Sequence, residues 1–137
     1  MSRHLAFCAF LLLVACSHKT PDQQLLEEAD PLASWAATLQ FAGEQWLANG
    51  VPTSFVRATA GAAEKAFEKT NKAISESHAR QELRHAITQQ LDIMHAAARD
   101  LKQAIEKNDR RTVAESVKRL AAVSAALQKL EEQKDRS

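Results

Sequence analysis

Four amphipathic helices packed as an antiparallel up-down-up-down bundle are the fold this sequence predicts. Three observations carry the prediction. The 137 residues include 45% hydrophobic and 26% charged side chains but only three Gly, three Pro and no Tyr. Strand-rich folds need frequent turns and β-branched or aromatic residues, and those are scarce here. Ala, Leu, Gln, Glu, Lys and Arg dominate, and they lose little side-chain freedom in a helix. Apolar residues also recur at alternating three- and four-residue steps in four separate stretches, each followed by only a short connection. Short connections make consecutive helices antiparallel neighbours. The length suits one domain with one core.

The first segment reads as an address. Arg3 and His4 precede an apolar run from Leu5 to Ala15. Eleven residues span about 16 Å as a helix, roughly half the hydrocarbon thickness of a bilayer. That length fits the apolar region of a signal peptide better than a membrane span. The run ends in Leu13-Val14-Ala15-Cys16. This ending resembles the lipobox of bacterial lipoproteins. The resemblance implies diacylglycerol on the Cys16 sulfur, cleavage before that residue, and usually acylation of the new amine. It covers this segment alone and assigns no family to the rest. Cys8 would leave with the leader, making Cys16 the sole remaining thiol, and acylation accounts for an unpaired cysteine in an exported chain. Two or three acyl chains anchor durably where one is marginal. Within that family, Asp after the cysteine favours retention at the inner membrane. Ser17 occupies that place here, so the resemblance implies an outer-membrane destination on the periplasmic side in a cell with two membranes.

The expected organisation is therefore a removed signal peptide at 1–15, a lipidated Cys16 with its tether at 16–19, a helical bundle at 20–134 and a frayed tail at 135–137. The first helix starts at Thr20-Pro21-Asp22-Gln23. Thr20 can cap, Pro21 suits the first helical position and Gln23 completes a capping box. Asp30-Pro31 predicts an interruption or kink, with Asp30 as a second cap. Leu32, Trp35, Leu39, Ala42 and Trp46 form the next core face, and Asn49-Gly50 a left-handed stop.

From Ser54 the second helix carries a seven-residue repeat, Val56, Ala60, Ala63, Phe67, Thr70 and Ile74. Beside it, Ala58, Ala62 and Ala66 form a smooth strip suited to a close helix neighbour. Few apolar residues follow, which places a turn near Ser75 to His78; one continuous helix to Lys107 is the alternative. The third helix has Leu83, Ile87, Leu91, Met94, Ala98, Leu101 and Ile105 in step, with Ala86, Ile93, Ala97 and Ala104 widening the face. Asn108 can end it, and Asp109 can cap the fourth helix. The fourth helix buries Val113, Val117, Leu120, Val123, Leu127 and Leu130. Glu68–Lys72 and Glu115–Arg119 are spaced as helical ion pairs. In this topology the N-terminus, the turn near Ser77 and the C-terminus share the anchored end, and the turns at Gly50 and Asn108 point away.

Charge excludes one class of partner. Arg3 is the only charged residue before Cys16, so the remainder carries 17 basic and 17 acidic side chains. Nucleic-acid binding rests on a basic excess that displaces counterions, and none exists. Chemistry-bearing residues are few. Glu82-x-x-His85, with His78 on the same face within about 60° on a 3.6-residue helix, has the spacing of di-iron bundles, although those repeat the motif on two inward-facing helices. Here the trio lies opposite the apolar stripe. Haem would need inward His or Met ligands. Met94 faces the core as a gap-filler, and there is no Cys-x-x-Cys-His. No nucleophile can be placed beside a His–carboxylate pair, and no glycine-rich phosphate loop occurs. Two surface features remain as candidate partner contacts. One is Phe41, off the core pattern, which is either an isolated exposed ring or a seat for Leu25 and Leu26 or a second protein. The other is the basic turn of Lys107, Arg110 and Arg111. The sequence thus predicts a non-enzymatic, lipid-anchored interaction or structural module of the cell envelope, without a cofactor beyond the covalent lipid. A metal- or haem-carrying bundle is the alternative.

Overall fold

The computed structural model describes residues 18–136. The expectations for the leader and Cys16 lie outside the described residues. Four helices follow in order: α1 (Pro21–Leu47), α2 (Thr53–Glu76), α3 (Gln81–Glu106) and α4 (Arg110–Lys134). They pack as α1 on α2, α2 on α3, α3 on α4 and α4 back on α1, with a minor diagonal contact of α1 on α3. This is the antiparallel up-down-up-down bundle, and at about 1.5 Å per residue its long axis is roughly 40 Å. One core runs its length, from Leu25 to Trp46 on α1 and from Val113 to Leu127 on α4. No described helix is long and apolar enough to cross a membrane.

The start of α1 follows the local signals. The Thr20 hydroxyl accepts from Gln23 N at 3.2 Å, while the Gln23 side chain accepts from Thr20 N at 3.1 Å. Two of the helix's orphan donors are thereby satisfied. The restart expected at Asp30-Pro31 does not occur, because α1 continues through Pro31. An interior proline costs a helix about 3 kcal/mol. Leu25, Leu26 and Ala29 before it and Leu32, Ala36 and Leu39 after it are all buried on the same core. Each buried leucine is worth about 1.5–3 kcal/mol, so the burial exceeds the proline's cost. Ala36 takes the core position expected of Trp35, which sits half-buried at the rim.

Both stops at the far end are built alike. Asn49 and Asn108 have φ of 58° and 53°. Gly50 N donates to Gln45 O at 2.7 Å and Asn49 N to Trp46 O at 3.0 Å. At the second stop Asp109 N donates to Ala104 O at 2.8 Å and Asn108 N to Ile105 O at 3.3 Å. These are paired Schellman closures, with asparagine supplying the left-handed residue that glycine more often provides. Asp109 then caps α4 by accepting from Thr112 N at 3.1 Å.

All six residues of the α2 repeat are buried. The strip of Ala58, Ala62 and Ala66 is a correction: Ala58 and Ala62 are exposed and Ala66 is partly so. The repeat already supplies the inward face, and the strip lies on the other side. A turn does separate α2 from α3, at 77–80, slightly later than expected. Ser77 Oγ accepts from Ala79 N at 3.0 Å, and Ala79 tucks into the core. This contact ends the helix without Gly or Pro. On α3, Ile93 is 39% exposed instead of widening the core, and Leu83 and Leu130 are only partly buried near the bundle end. The ion pairs also differ from those expected within single helices. Lys72 pairs with Glu76 at 4.0 Å, Arg111 with Glu115 at 3.3 Å, and Arg119 crosses to Asp100 on α3 at 2.6 Å.

Candidate functional site

The two ends of the bundle and one of its sides hold every candidate residue. At the end where α1 begins, Asp22 reaches the connection between α2 and α3. Its Oδ1 accepts from Arg80 N at 2.9 Å and its Oδ2 from Arg80 Nε at 2.5 Å. These bonds, the backbone one first, hold the Asp22 carboxyl below its ordinary pKa. Arg80 precedes α3, a helix start with no side-chain cap of its own, so Asp22 binds two bundle corners together. Lys19 pairs with Glu27 at 2.8 Å and lowers the pKa of that carboxyl. Burial pushes the Glu131 carboxyl up, with Asp30 adding repulsion. A cleft of about 230 Å³ lined by Thr20, Asp22, Arg80, Leu130 and Lys134 joins the N-terminal segment, the α2–α3 turn and the end of α4.

The expected trio of His78, Glu82 and His85 is not one helical face. His78 lies in the 77–80 connection, where it lines a cleft with Glu27, Glu28 and Glu76. Glu82 and His85 are on α3, and all three are exposed. The inserted turn breaks the 3.6-residue geometry that the trio required. Among the described residues, no three His, Cys, Asp or Glu side chains are gathered as a metal would need. Met94 is fully buried in the core. His95 packs edge-on against Phe67, with ring centroids 5.1 Å apart, as an aromatic neighbour of the core.

At the opposite end Arg110 has a structural task that the sequence did not disclose. Its guanidinium donates to the Leu47 carbonyl and sits 5.7 Å above the Trp46 ring. Trp46 in turn donates Nε1–H to the Thr53 hydroxyl at 3.1 Å. A cation on the last carbonyls of α1 also opposes that helix's negative end. Arg111 is engaged with Glu115, and Lys107 is exposed at the end of α3. The basic turn is therefore not one patch: one member fastens the bundle, one pairs on its own helix, and one faces water.

Phe41 is 55% exposed on the outer side of α1. Leu25 and Leu26 are not its partners, because both are buried in the core on the same helix. Its surroundings were the feature that sequence reading missed. From Pro31 to Ala63, 33 residues carry only two charges, Glu44 and Arg57, whereas the 73 residues from Glu64 to Arg136 carry 27. Arg57 is drawn across to Glu106 on α3, and Glu64, just beyond the stretch, to Lys102 on α3 at 2.9 Å. Phe55, at the start of α2, is 44% exposed. The periodicity that reveals helices weighs inward residues, so a deficit of charge on an outward face passes unnoticed unless charges are counted by segment. Comparison of the chain with protein-family models, curated proteins and solved structures gave no match.

Proposed function

We propose that this chain is a lipid-anchored lipoprotein of the bacterial cell envelope, held by acyl chains on Cys16, whose helical bundle serves as a non-enzymatic interaction module. The observation that carries the anchor is the register of Leu13-Val14-Ala15-Cys16 directly after an apolar run too short to span a bilayer. The helix cap at Thr20 follows four residues later. Four residues reach at most about 14 Å, so such a tether holds the α1 start, the 77–80 turn and the α4 end close to the lipid headgroups. The turns at Asn49 and Asn108 then stand roughly 40 Å out. Ser17 favours the periplasmic face of the outer membrane, and the balanced charge favours a protein partner over nucleic acid.

The interaction reading rests on how the surface is built. Its polar side chains go into caps, turn closures and ion pairs between neighbouring helices, and one side is left nearly without charge. Mass spectrometry of the processed protein and fractionation of cells carrying Cys16→Ala test the anchor. The expected result is an acylated N-terminal Cys16 in the wild type, and release from membranes or accumulation of the uncleaved precursor in the variant. A mature N-terminus at another residue, with membrane association unchanged in Cys16→Ala, overturns the proposal.

A further inference from the structure

Between the two stops at the far end of the bundle lies a cleft of about 550 Å³. Val51, Pro52 and Ile105 give it an apolar lining, and among the described residues no carboxylate borders it. Its polar groups are brought there by the turn chemistry. Asn49 and Asn108 take positive φ to close α1 and α3, which sets two exposed side-chain amides at the same end. Among the described residues neither amide has a hydrogen-bond partner. Trp46 gives its Nε1–H to the Thr53 hydroxyl, whose own proton is left to donate. Arg110 pairs with no carboxylate among the described residues. Its guanidinium rests over the Trp46 ring with a single donor on the Leu47 carbonyl. A guanidinium presents two paired edges of N–H donors, so one such bond leaves one edge complete.

We propose that this cleft binds the C-terminal carboxylate of a short peptide segment, with Arg110 as the anchor. Charge selects a carboxylate. One guanidinium balances one negative charge, and Asp109, kept ionised by its bonds from Thr112, repels a ligand of higher charge such as a phosphate dianion. Geometry agrees, because a carboxylate accepts two parallel bonds from a guanidinium edge. Folding has already fixed the guanidinium on Leu47 and Trp46, so little of its freedom is lost on binding. A peptide's last amide needs both an acceptor and a donor, which an asparagine side chain provides. Its alkyl side chain meets Val51, Pro52 and Ile105. The volume lies within the roughly 300–1,000 Å³ of small-ligand sites, more than a bare carboxylate fills. The other clefts lack this combination. Those at the α1 start contain Glu27, Glu28 and Glu76, or an Arg80 already held by Asp22. The cleft between α3 and α4 has a cation, Lys129, but it is exposed and unheld among alanines and glutamines.

The inference deepens the interaction-module reading and rests on it, but it does not depend on acylation. Loss of the anchor in Cys16→Ala and loss of peptide binding are therefore separate results. The probe is acetyl-alanyl-leucine, compared with the same peptide bearing a C-terminal amide and with inorganic phosphate. The full chain is kept in detergent, and the readout is the NMR signal of the Trp46 indole N–H, told from that of Trp35 by Trp35→Phe. The acid should give a saturable shift with a dissociation constant of about 1 mM, and the amide and phosphate should bind at least about 10-fold more weakly. Arg110→Lys keeps the charge but loses the paired edge, and should weaken the acid about 10-fold. Asn108→Gly keeps the left-handed stop but removes one amide, and should weaken it about 3-fold with the helical circular dichroism spectrum unchanged. No saturable shift up to about 20 mM acid overturns the proposal, as does equal binding of the amide or of phosphate. Unchanged affinity in Arg110→Lys, or in Asn108→Gly where the lysine variant loses its helical spectrum, overturns it as well.

Discussion

Gly43 and Gly61 show how one residue type has opposite meanings at two points of the same bundle. A Cβ on Gly43 would lie 2.6 Å from Val117 Cγ2, with Leu101 and Val113 close behind. Val117 is β-branched and held by its own helix, so it has little freedom to withdraw. Gly43 thus sets the approach of α1 to α4, the most extensive helix contact in the molecule. A Cβ on Gly61 would meet nothing within 4 Å. The Gly43→Ala change is expected to destabilise by about 1–2 kcal/mol, because overpacking outweighs the helix propensity gained. Gly61→Ala is expected to stabilise by about 0.5–1 kcal/mol from propensity alone. Urea unfolding of both variants checks the contrast, and equal signs would refute this reading of the α1–α4 contact.

At the scale of the element, α1 is the informative case. Its proline lies eleven positions into a 27-residue helix. Local chemistry predicts a break there, and burial on both sides carries the helix through. Pro31 is exposed and faces no packing partner in the core. Replacing it by Ala restores a backbone donor and removes the ring's clash with the preceding turn, partly offset by a more flexible unfolded chain. Pro31→Ala should therefore raise stability by about 1–3 kcal/mol without changing the fold. Thermal melting followed at 222 nm measures this, and a lowered melting temperature would mean that the proline is needed for the packing of α1. The α2–α3 boundary teaches the converse. No Gly or Pro announces it, and it is made by Ser77 bonding Ala79, by Ala79 entering the core, and by Asp22 arriving from 58 residues away.

For the whole molecule, pH reports on the contacts that join its corners. The carboxyls of Asp22, Glu27 and Asp109 are all held below the ordinary carboxylate range, by hydrogen bonds from Arg80, Lys19 and Thr112. A depressed folded-state pKa contributes stability above the unfolded value near about 4, and this is lost as pH falls through the lowered folded value. Glu131 works in the opposite direction. Its raised pKa means that ionisation strains the folded state, and acid relieves that strain. Three groups against one predict a net fall in melting temperature on acidification below about pH 4. The Asp22→Asn variant isolates the corner contact. It should melt below the wild type at neutral pH, and the gap should close in acid, where Asp22 is itself protonated. A gap that stays constant from pH 7 to about pH 2 would show that the loss is not one of charge.

The helix count, most of the helix boundaries and the α2 repeat are all local in the chain. They depend on side-chain periodicity, on capping chemistry and on asparagines able to adopt positive φ, and each operates within a few residues. The sequence by itself therefore determined the bundle and its order. Folding alone decided what depends on neighbours far along the chain. Arg110 became a clamp on Leu47 and Trp46 instead of part of a free basic tip. His78 was parted from Glu82 and His85 by a turn, and Ala36 displaced Trp35 from the core. The alanine strip on α2 was left outside, and Arg57 and Glu64 of α2 were drawn to Glu106 and Lys102 on α3. The physical reason is common to all of these. A helix's own pattern states which residues prefer to be dry, but which side chains meet is set by the helices that pack beside it.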